Sequence, residues 1–256
     1  MFKKKTLFVV GAGASAEACL PVGDALKGEI ADHLSYDIGK SYPPRNGSSD
    51  IFNAFSILLS DAANKEIGPF ERLLGAAKQI ADGMAGASSI DEFLNQNQDD
   101  AAIKACGKIA IAHSILLAEH SSKLRLDQEL QAMNFDDLDK SWYPRFFRMA
   151  AEGVSRGQVE TIFENVTFIS FNYDRCIEHH LKHALVNQYV NLAPDDADRI
   201  VNNLRIFHPY GIVGRLPWQE GEDHKVAFGA SDTAEHLVPI STQIKTFTEQ
   251  IDSQAL

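Results

Sequence analysis

Cysteine is scarce in this chain of 256 residues, which contains only Cys19, Cys106 and Cys176. The three are far apart and form no Cys-x-x-Cys pair, so a structural zinc site with four cysteine ligands is excluded within the sequence. We also expect no disulfide framework and no metal site. Reduced thiols in a cytoplasmic protein are the simplest interpretation.

Basic residues and long apolar runs are also few. The chain has 24 Lys and Arg against 35 Asp and Glu, a formal net charge of -11. Direct nucleic-acid binding needs a basic surface, so we expect no nucleic-acid partner. No apolar run approaches the ~20 residues of a membrane-spanning helix. The apolar stretch Thr6–Val10 ends at Gly11, too early for a signal peptide, so we expect no membrane association.

The sequence does contain apolar segments with strand and helix periodicity, and hydrophobic residues make up 45%, enough for a sizeable core. Short segments rich in β-formers predict strands at Thr6–Val10, Val166–Phe171 and Leu204–Phe207, the first as a buried strand of parallel type. Helical spacing predicts helices at Ala16–Leu34, Ala101–Leu130, Trp142 onward, Arg175–Tyr189 and from Ser241.

The order of these segments predicts an α/β fold with a parallel sheet. A long helical block without a convincing strand separates the first strand from the later ones. We therefore predict a core made of residues 1–40 and 160–256, with a large helical insertion over residues 41–159.

A glycine-rich turn comes directly after the first predicted strand. The pattern Gly11-x-Gly13-x-x-Ala16 between a strand and a helix is typical of dinucleotide-binding turns. We expect Gly11 to adopt a backbone conformation closed to other residues, Gly13 to let a pyrophosphate approach the backbone, and Ser15 to cap the helix or donate to a phosphate. The alternative is an ordinary tight turn without a ligand.

An ordinary dehydrogenase is disfavoured by the segment after that turn. The dehydrogenase fold needs a second strand with an acidic residue at its end, about 20 residues after the glycines. Asp32 and Asp37 lie at that distance, but neither ends a predicted strand.

Polar residues also come after the second and third predicted strands. Asn172 and Asp174 come directly after Phe171, and His208 comes directly after Phe207. An amide can orient a water or a ribose hydroxyl, and a histidine can act as a base near neutral pH. The alternatives are a helix cap at Asn172–Asp174 and a structural histidine at position 208, whose backbone Pro209 restricts to an extended conformation.

Three further histidines fall on one predicted helix. A metal site would need an Asp, Glu or Cys to complete the set, and none does so clearly. A solvated helix face is therefore the preferred interpretation of the set: His179, His180 and His183.

Taken together, three segments resemble the sirtuin family. Gly11–Glu17 with Leu20–Pro21 is similar to the family's GAG-x-S motif and the proline that follows it. Ser170–Asp174 is similar to the T-Q-N-x-D motif. His208 with Gly211 is similar to the catalytic histidine and its nearby glycine. Ser89–Leu94, which contains Asp91, resembles a segment of sirtuin-like domains in bacterial anti-phage defence proteins. So do Pro217–Trp218 and the stretch 240–252.

The resemblance implies a Rossmann-like domain that binds NAD and breaks its nicotinamide–ribose bond. It implies catalytic roles for Asn172 and His208. It also implies a set of NAD-binding residues: Gly11, Ala12, Gly13, Ser15, Pro21, Asp91, Phe171, Asp174 and Gly211. The chain departs from the family where Phe171 replaces a glutamine and where Cys19 stands in place of a frequent glycine. The zinc module of the deacylases is absent, which favours the NAD-hydrolysing branch.

These observations predict a cytoplasmic NAD+ glycohydrolase that releases nicotinamide and ADP-ribose as a defence effector. The first alternative is a module that binds NAD or ADP-ribose without turnover, and the second is an NAD-dependent protein deacylase. A homo-oligomer or a larger defence assembly is a further expectation. The sequence ends at Leu256, before the last strands that in the family complete the sheet and contact the adenosine half of NAD. Either the sequence is a piece of a longer chain, or the adenosine end of the site is incomplete.

Overall fold

A computed structural model describes residues 1–37, 46–127, 129–230, 233–246 and 249. The chain divides into two compact units. The first contains residues Met1–Leu20 and Ala118–Ala230, and the second contains Pro21–Leu117 and Ser231–Leu256. The predicted boundaries at residues 40 and 160 remain a prediction.

The sheet belongs to the first unit and has three parallel strands: β1 (Thr6–Val10), β2 (Val166–Ser170) and β3 (Arg205–Phe207). β2 lies in the centre, with Phe8 opposite Phe168 on β1 and Phe168 opposite Ile206 on β3. The three predicted strands are thus confirmed within one residue at each end. The prediction that β1 is a buried strand is wrong, because alternate side chains, Leu7 and Val9, are exposed.

The described residues contain ten α-helices. They are α1 (Ala12–Ala16), α2 (Asp24–Leu34), α3 (Ser49–Ser60), α4 (Phe70–Gly83), α5 (Ile90–Gln96), α6 (Ala101–Ser121), α7 (Trp142–Ala151), α8 (Cys176–Gln188), α9 (Pro194–Asn202) and α10 (Ala234–Ser241). The fold is therefore α/β, as predicted, with a small parallel sheet. Helices fill much of the described chain between β1 and β2.

Aromatic side chains form the centre of the first unit. Phe8 and Phe168 stack across neighbouring strands with ring centroids 5.2 Å apart, and Phe146 of α7 packs edge-on against both. In α7 the buried positions recur at three- and four-residue spacing, which gives the helix one apolar face. This packing anchors the sheet whose strand ends carry the candidate site.

The second unit is helical within its described residues. Phe52 and Phe55 on α3 pack against Phe70 at the start of α4, and α10 packs against α3. On α3 Phe52, Phe55 and Leu58 are buried and form the apolar face of the helix.

The predicted helix Ala16–Leu34 is wrong, because the structure has two helices there. α1 ends at Ala16 and α2 begins at Asp24. Between them Cys19 has a positive φ of 71° and Pro21 has no N–H to continue a helix.

Two other predicted helices also have different bounds. α6 ends at Ser121, not at residue 130. α10 ends at Ser241, where the predicted C-terminal helix begins, and residues 242–246 are not helical. The remainder of that predicted helix, apart from Glu249, lies outside the described residues.

One helix in the described part of the chain, α6, is long and apolar enough to cross a membrane by length and composition. Two thirds of its most apolar window (67%) is buried inside the protein. A buried core helix passes the same test, so this helix is weak evidence for a membrane span.

Candidate functional site

The candidate site lies at the carboxyl ends of the three strands. Gly11 follows β1, Asn172 lies two residues beyond β2, and His208 follows β3. Because the strands are parallel, these ends meet at one edge of the sheet, where α/β proteins bind ligands. The structure therefore brings together the predicted site residues of the first unit.

Nothing in the fold itself requires glycine at positions 11 and 13. Gly11 has φ −132° and ψ −173°, an extended conformation open to any residue, so the predicted special backbone at Gly11 is wrong. Apart from its chain neighbours and the backbone of its own helix, a Cβ added to either glycine would meet no atom within 4 Å. Both residues and Ala12 between them are exposed. Space remains above this turn for a ligand to approach the backbone.

The Asn172 amide is fixed against the glycine turn. Its Nδ2 donates to the Gly11 carbonyl oxygen at 3.1 Å and to Ser15 Oγ at 2.9 Å. A carbonyl oxygen can only accept, so the orientation of the amide is determined. Asn172 Oδ1 is left buried with no donor among the described residues. A buried acceptor without a partner costs about 1–3 kcal/mol, which a ligand hydroxyl or a water would recover.

Ser15 and Asp174 extend this network inward. Ser15 Oγ donates to Asp174 Oδ2 at 2.6 Å, and Asp174 Oδ1 accepts from the Cys176 amide, the first of α8, at 3.1 Å. The N-cap residue of α8 is Arg175, so the predicted helix cap at Asn172–Asp174 is wrong, although Asp174 does accept from the first amide of the helix. Both Asp174 oxygens are engaged within the protein, so Asp174 holds the turn and the helix start together.

His208 makes two contacts through its ring. Its Nδ1 donates to the Asn172 carbonyl oxygen at 3.2 Å, and its Nε2 lies 2.9 Å from Glu178 Oε1 on α8. Burial lowers the pKa of His208, but the facing Glu178 carboxylate, with smaller contributions from the Asn172 carbonyl oxygen and Asp174, outweighs it, so the net shift of this pKa is upward. The imidazolium form is thus favoured, and both ring nitrogens are held by the protein.

Aromatic rings border the same strand ends. Phe171 is 42% exposed, and its ring centroid lies 5.6 Å from that of Tyr210. Tyr210 also lies beside Tyr173 at 6.4 Å. Gly211 closes a turn by donating to the His208 carbonyl oxygen, and its φ of 73° explains why glycine occupies this position.

A buried ion pair supports the start of α8. Arg175 and Glu119 are fully buried, and Glu119 accepts from the Arg175 amide and guanidinium and from the Gly229 amide. Burial raises the pKa of Glu119, and Arg175 offsets part of that rise. Arg175 also donates to the carbonyl oxygens of Val226 and Gly214. The pair thereby holds the segment that follows β3.

Pro21 and Asp91 belong to the second unit, unlike the other predicted site residues. Asp91 is the second residue of α5. The cap of that helix is Ser89, whose Oγ accepts from the Glu92 amide at 3.0 Å, and Asp91 is therefore not the N-cap.

The three histidines of α8 are not a solvated face, so that expectation is wrong. His179 and His180 are buried and His183 is partly buried. Burial lowers the pKa of His180 to about 3 and that of His183 to about 4, and the pKa of His179 falls well below its ordinary value for the same reason. Among the described residues, no three His, Cys, Asp or Glu side chains group as a metal site would require.

Three residues near the site were not predicted. Glu178 faces His208, Tyr210 packs beside Phe171, and Trp142 donates from Nε1 to the Ala14 carbonyl oxygen at 2.9 Å. No local pattern pointed to Glu178, because Asp174 lies before α8 and the contact with His208 depends on where β3 ends. No local pattern pointed to Trp142 either.

Comparisons of the chain with protein-family models, with curated proteins and with solved structures each find no match. The resemblance to sirtuins therefore rests on the motif residues alone.

Proposed function

We propose that this protein is a cytoplasmic NAD+ glycohydrolase of sirtuin-like type. It breaks the bond between nicotinamide and ribose with water, and it yields nicotinamide, ADP-ribose and a proton. The proposal includes a Rossmann-like form of the sheet, a helical insertion between β1 and β2, and a role as an anti-phage defence effector, alone or in a larger assembly.

The observation that carries the proposal is the orphan acceptor Asn172 Oδ1 beside the glycine turn. NAD would place its pyrophosphate over Gly11 and Gly13, where no side chain blocks the backbone. A ribose hydroxyl or the attacking water would then donate to Asn172 Oδ1. As the glycosidic bond breaks, positive charge develops on the ribose while nicotinamide leaves neutral, so the site needs orientation more than a strong acid.

The experiment follows nicotinamide release from NAD+ by the purified full chain. We expect Asn172→Ala to lower the rate by about 10²-fold or more, since such oriented polar groups contribute effects of this size. Asn203→Ala, an exposed amide at the end of α9, is the matched control and keeps the rate. Equal rates of nicotinamide release by the wild type and by Asn172→Ala would contradict the proposal.

A second function, binding of NAD or ADP-ribose without turnover, is favoured by one observation. Both ring nitrogens of His208 are engaged, by Asn172 and by Glu178, so no free base faces the ribose. Calorimetry that detects NAD binding, together with no nicotinamide release, would decide for this function. Release of a deacylated peptide and no free ADP-ribose would instead indicate the deacylase alternative.

A further inference from the structure

A second pocket of the first unit lies beside α8. Its volume is about 610 Å³, within the range of roughly 300–1,000 Å³ typical of small-molecule sites. None of its lining residues belongs to the strand-end site described above. Its main side chains are Arg125, His179, Lys182, His183, Trp218 and Phe228.

Among the described residues, the lining of this pocket contains no Asp or Glu, in a chain where acidic residues outnumber basic ones by 35 to 24. Lys182 Nζ lies 2.5 Å from Asp198 Oδ1, but Asp198 is not part of the lining. Arg125 has no carboxylate within 4.0 Å among the described residues, so its charge is not compensated there. The pocket is therefore suited to an anionic group.

Two aromatic rings are held in fixed positions around the same space. Phe228 stacks on His179 with ring centroids 4.0 Å apart and planes 3° apart. The Lys182 ammonium lies 5.1 Å from the centre of the Trp218 ring. Rings that are already ordered lose little conformational entropy when a planar ligand packs against them.

The imidazoles leave hydrogen-bond acceptors for that ligand. His179 Nε2 donates to the Leu124 carbonyl oxygen at 3.1 Å, so in the neutral ring its Nδ1 is an acceptor. His120, also in the lining, donates from Nδ1 to the Gly229 carbonyl oxygen at 2.8 Å, which leaves Nε2. An N–H group on a planar ring, such as the amino group of a nucleobase, would complete these contacts.

We propose that this pocket binds a nucleoside monophosphate, separately from any dinucleotide at the glycine turn. Its phosphate contacts Arg125 and Lys182, and its base packs at Trp218 and Phe228. The pocket is then a second small-molecule site through which a nucleotide acts on the protein. The proposal does not depend on NAD hydrolysis.

The test is calorimetric titration of the full chain with adenosine monophosphate, with adenosine and with inorganic phosphate. We expect the monophosphate to bind more tightly than either part alone. Arg125→Gln should weaken it by about 10-fold through loss of a charged hydrogen bond, and Trp218→Leu by about 10-fold through loss of stacking. Arg145→Gln, an exposed arginine on α7 outside the pocket, carries the same change of charge and should have no effect.

The variant Gly13→Ala separates this proposal from the proposed function. If the monophosphate occupies the pocket, Gly13→Ala leaves its binding unchanged even where NAD binding is lost. Loss of binding in Gly13→Ala but not in Arg125→Gln would assign the nucleotide to the glycine turn and overturn the proposal. Absence of binding, or phosphate binding as tight as that of the monophosphate, would also overturn it.

Discussion

The strand-end region (Gly11–Ser15, Asn172–Glu178 and His208) and the α8 flank (His179, His180 and His183) bury ionisable groups in opposite ways. In the strand-end region a carboxylate faces each basic group, Glu119 at the buried Arg175 and Glu178 at the partly buried His208. On the flank no carboxylate is among the causes of the pKa shifts, and burial keeps the imidazoles neutral. A partner, rather than burial alone, therefore decides which groups keep a charge inside this protein.

The largest expected effect comes from removing a partner in the strand-end region. Glu119→Gln leaves the Arg175 guanidinium buried without a counter-charge. We expect the free energy of unfolding to fall by about 3–5 kcal/mol, as when one member of a buried ion pair is removed. Denaturant titration at neutral pH measures this change.

The matched control for that variant is Glu160→Gln. Glu160 forms an exposed ion pair with Arg199, and exposed pairs contribute little, so its unfolding midpoint should stay close to that of the wild type. A loss of the same size in both variants would show that burial does not distinguish the two pairs.

The second prediction concerns the flank. Neither ring nitrogen of His180 has a partner among the described residues, and its folded pKa is about 3. Below pH 6.5 His180 is protonated in the unfolded chain but stays neutral in the folded protein. The free energy of unfolding therefore falls as the pH is lowered from about 6.5 toward 3. Between pH 7 and pH 5 this residue should account for a loss of about 2 kcal/mol.

His180→Phe should remove that share of the acid sensitivity, since the ring packs between Tyr143 and Phe135 and carries no hydrogen bond there. Urea unfolding of the two proteins at both pH values gives the comparison. Parallel losses of stability in the two proteins would show that His180 is not the residue responsible.

Sequence reasoning reached the strand-end region because parallel strands bring their ends together. The glycine turn, Asn172 and His208 each follow a strand, so their convergence could be predicted from three short apolar segments. The backbone conformation of Gly11 could not be predicted, because the motif indicates that a ligand approaches the glycine but does not determine the φ of that residue.

The α8 flank could not be predicted in the same way. Which face of a helix is covered depends on segments distant in the chain, here residues 124 and 228 against His179. The partner of His208 depends likewise on where β3 ends relative to Glu178. Local patterns carry no information on either.

The third prediction links the two regions through Glu178→Gln. In the wild type the pKa of His208 is raised, so its stabilising effect is fully present below pH 6.5 and is lost as pH rises through the folded pKa. In the variant only the Asn172 carbonyl oxygen and Asp174 still oppose burial, so the pKa of His208 should fall from its raised value. We expect a loss of about 1 kcal/mol at pH 6 that shrinks at pH 9.

Nuclear magnetic resonance titration of the His208 ring measures that pKa directly. The sign of the change is the opposite of that for His180, whose contribution weakens as pH falls. An unchanged His208 pKa in Glu178→Gln would contradict the role of the carboxylate.

The smallest effect concerns the backbone at Cys19, just after the helix that begins in the strand-end region. The Leu20 amide donates to the Ser15 carbonyl oxygen, and the Cys19 amide donates to the Ala16 carbonyl oxygen. These two hydrogen bonds are those of a helix end at which the residue in position 19 is usually glycine. Cys19 occupies that position with φ 71°. A side chain in this conformation destabilises the fold by about 1–2 kcal/mol. Glycine would remove this strain, but the greater conformational freedom of glycine in the unfolded chain offsets part of the gain.

We therefore expect Cys19→Gly to raise the free energy of unfolding by about 0.5–1 kcal/mol. Cys19→Ala is the control, because it removes the exposed thiol and keeps the Cβ that strains the backbone. Denaturant midpoints should rise for the glycine variant alone. Equal gains in both variants would show that the thiol, and not a strained backbone at residue 19, lowers the stability.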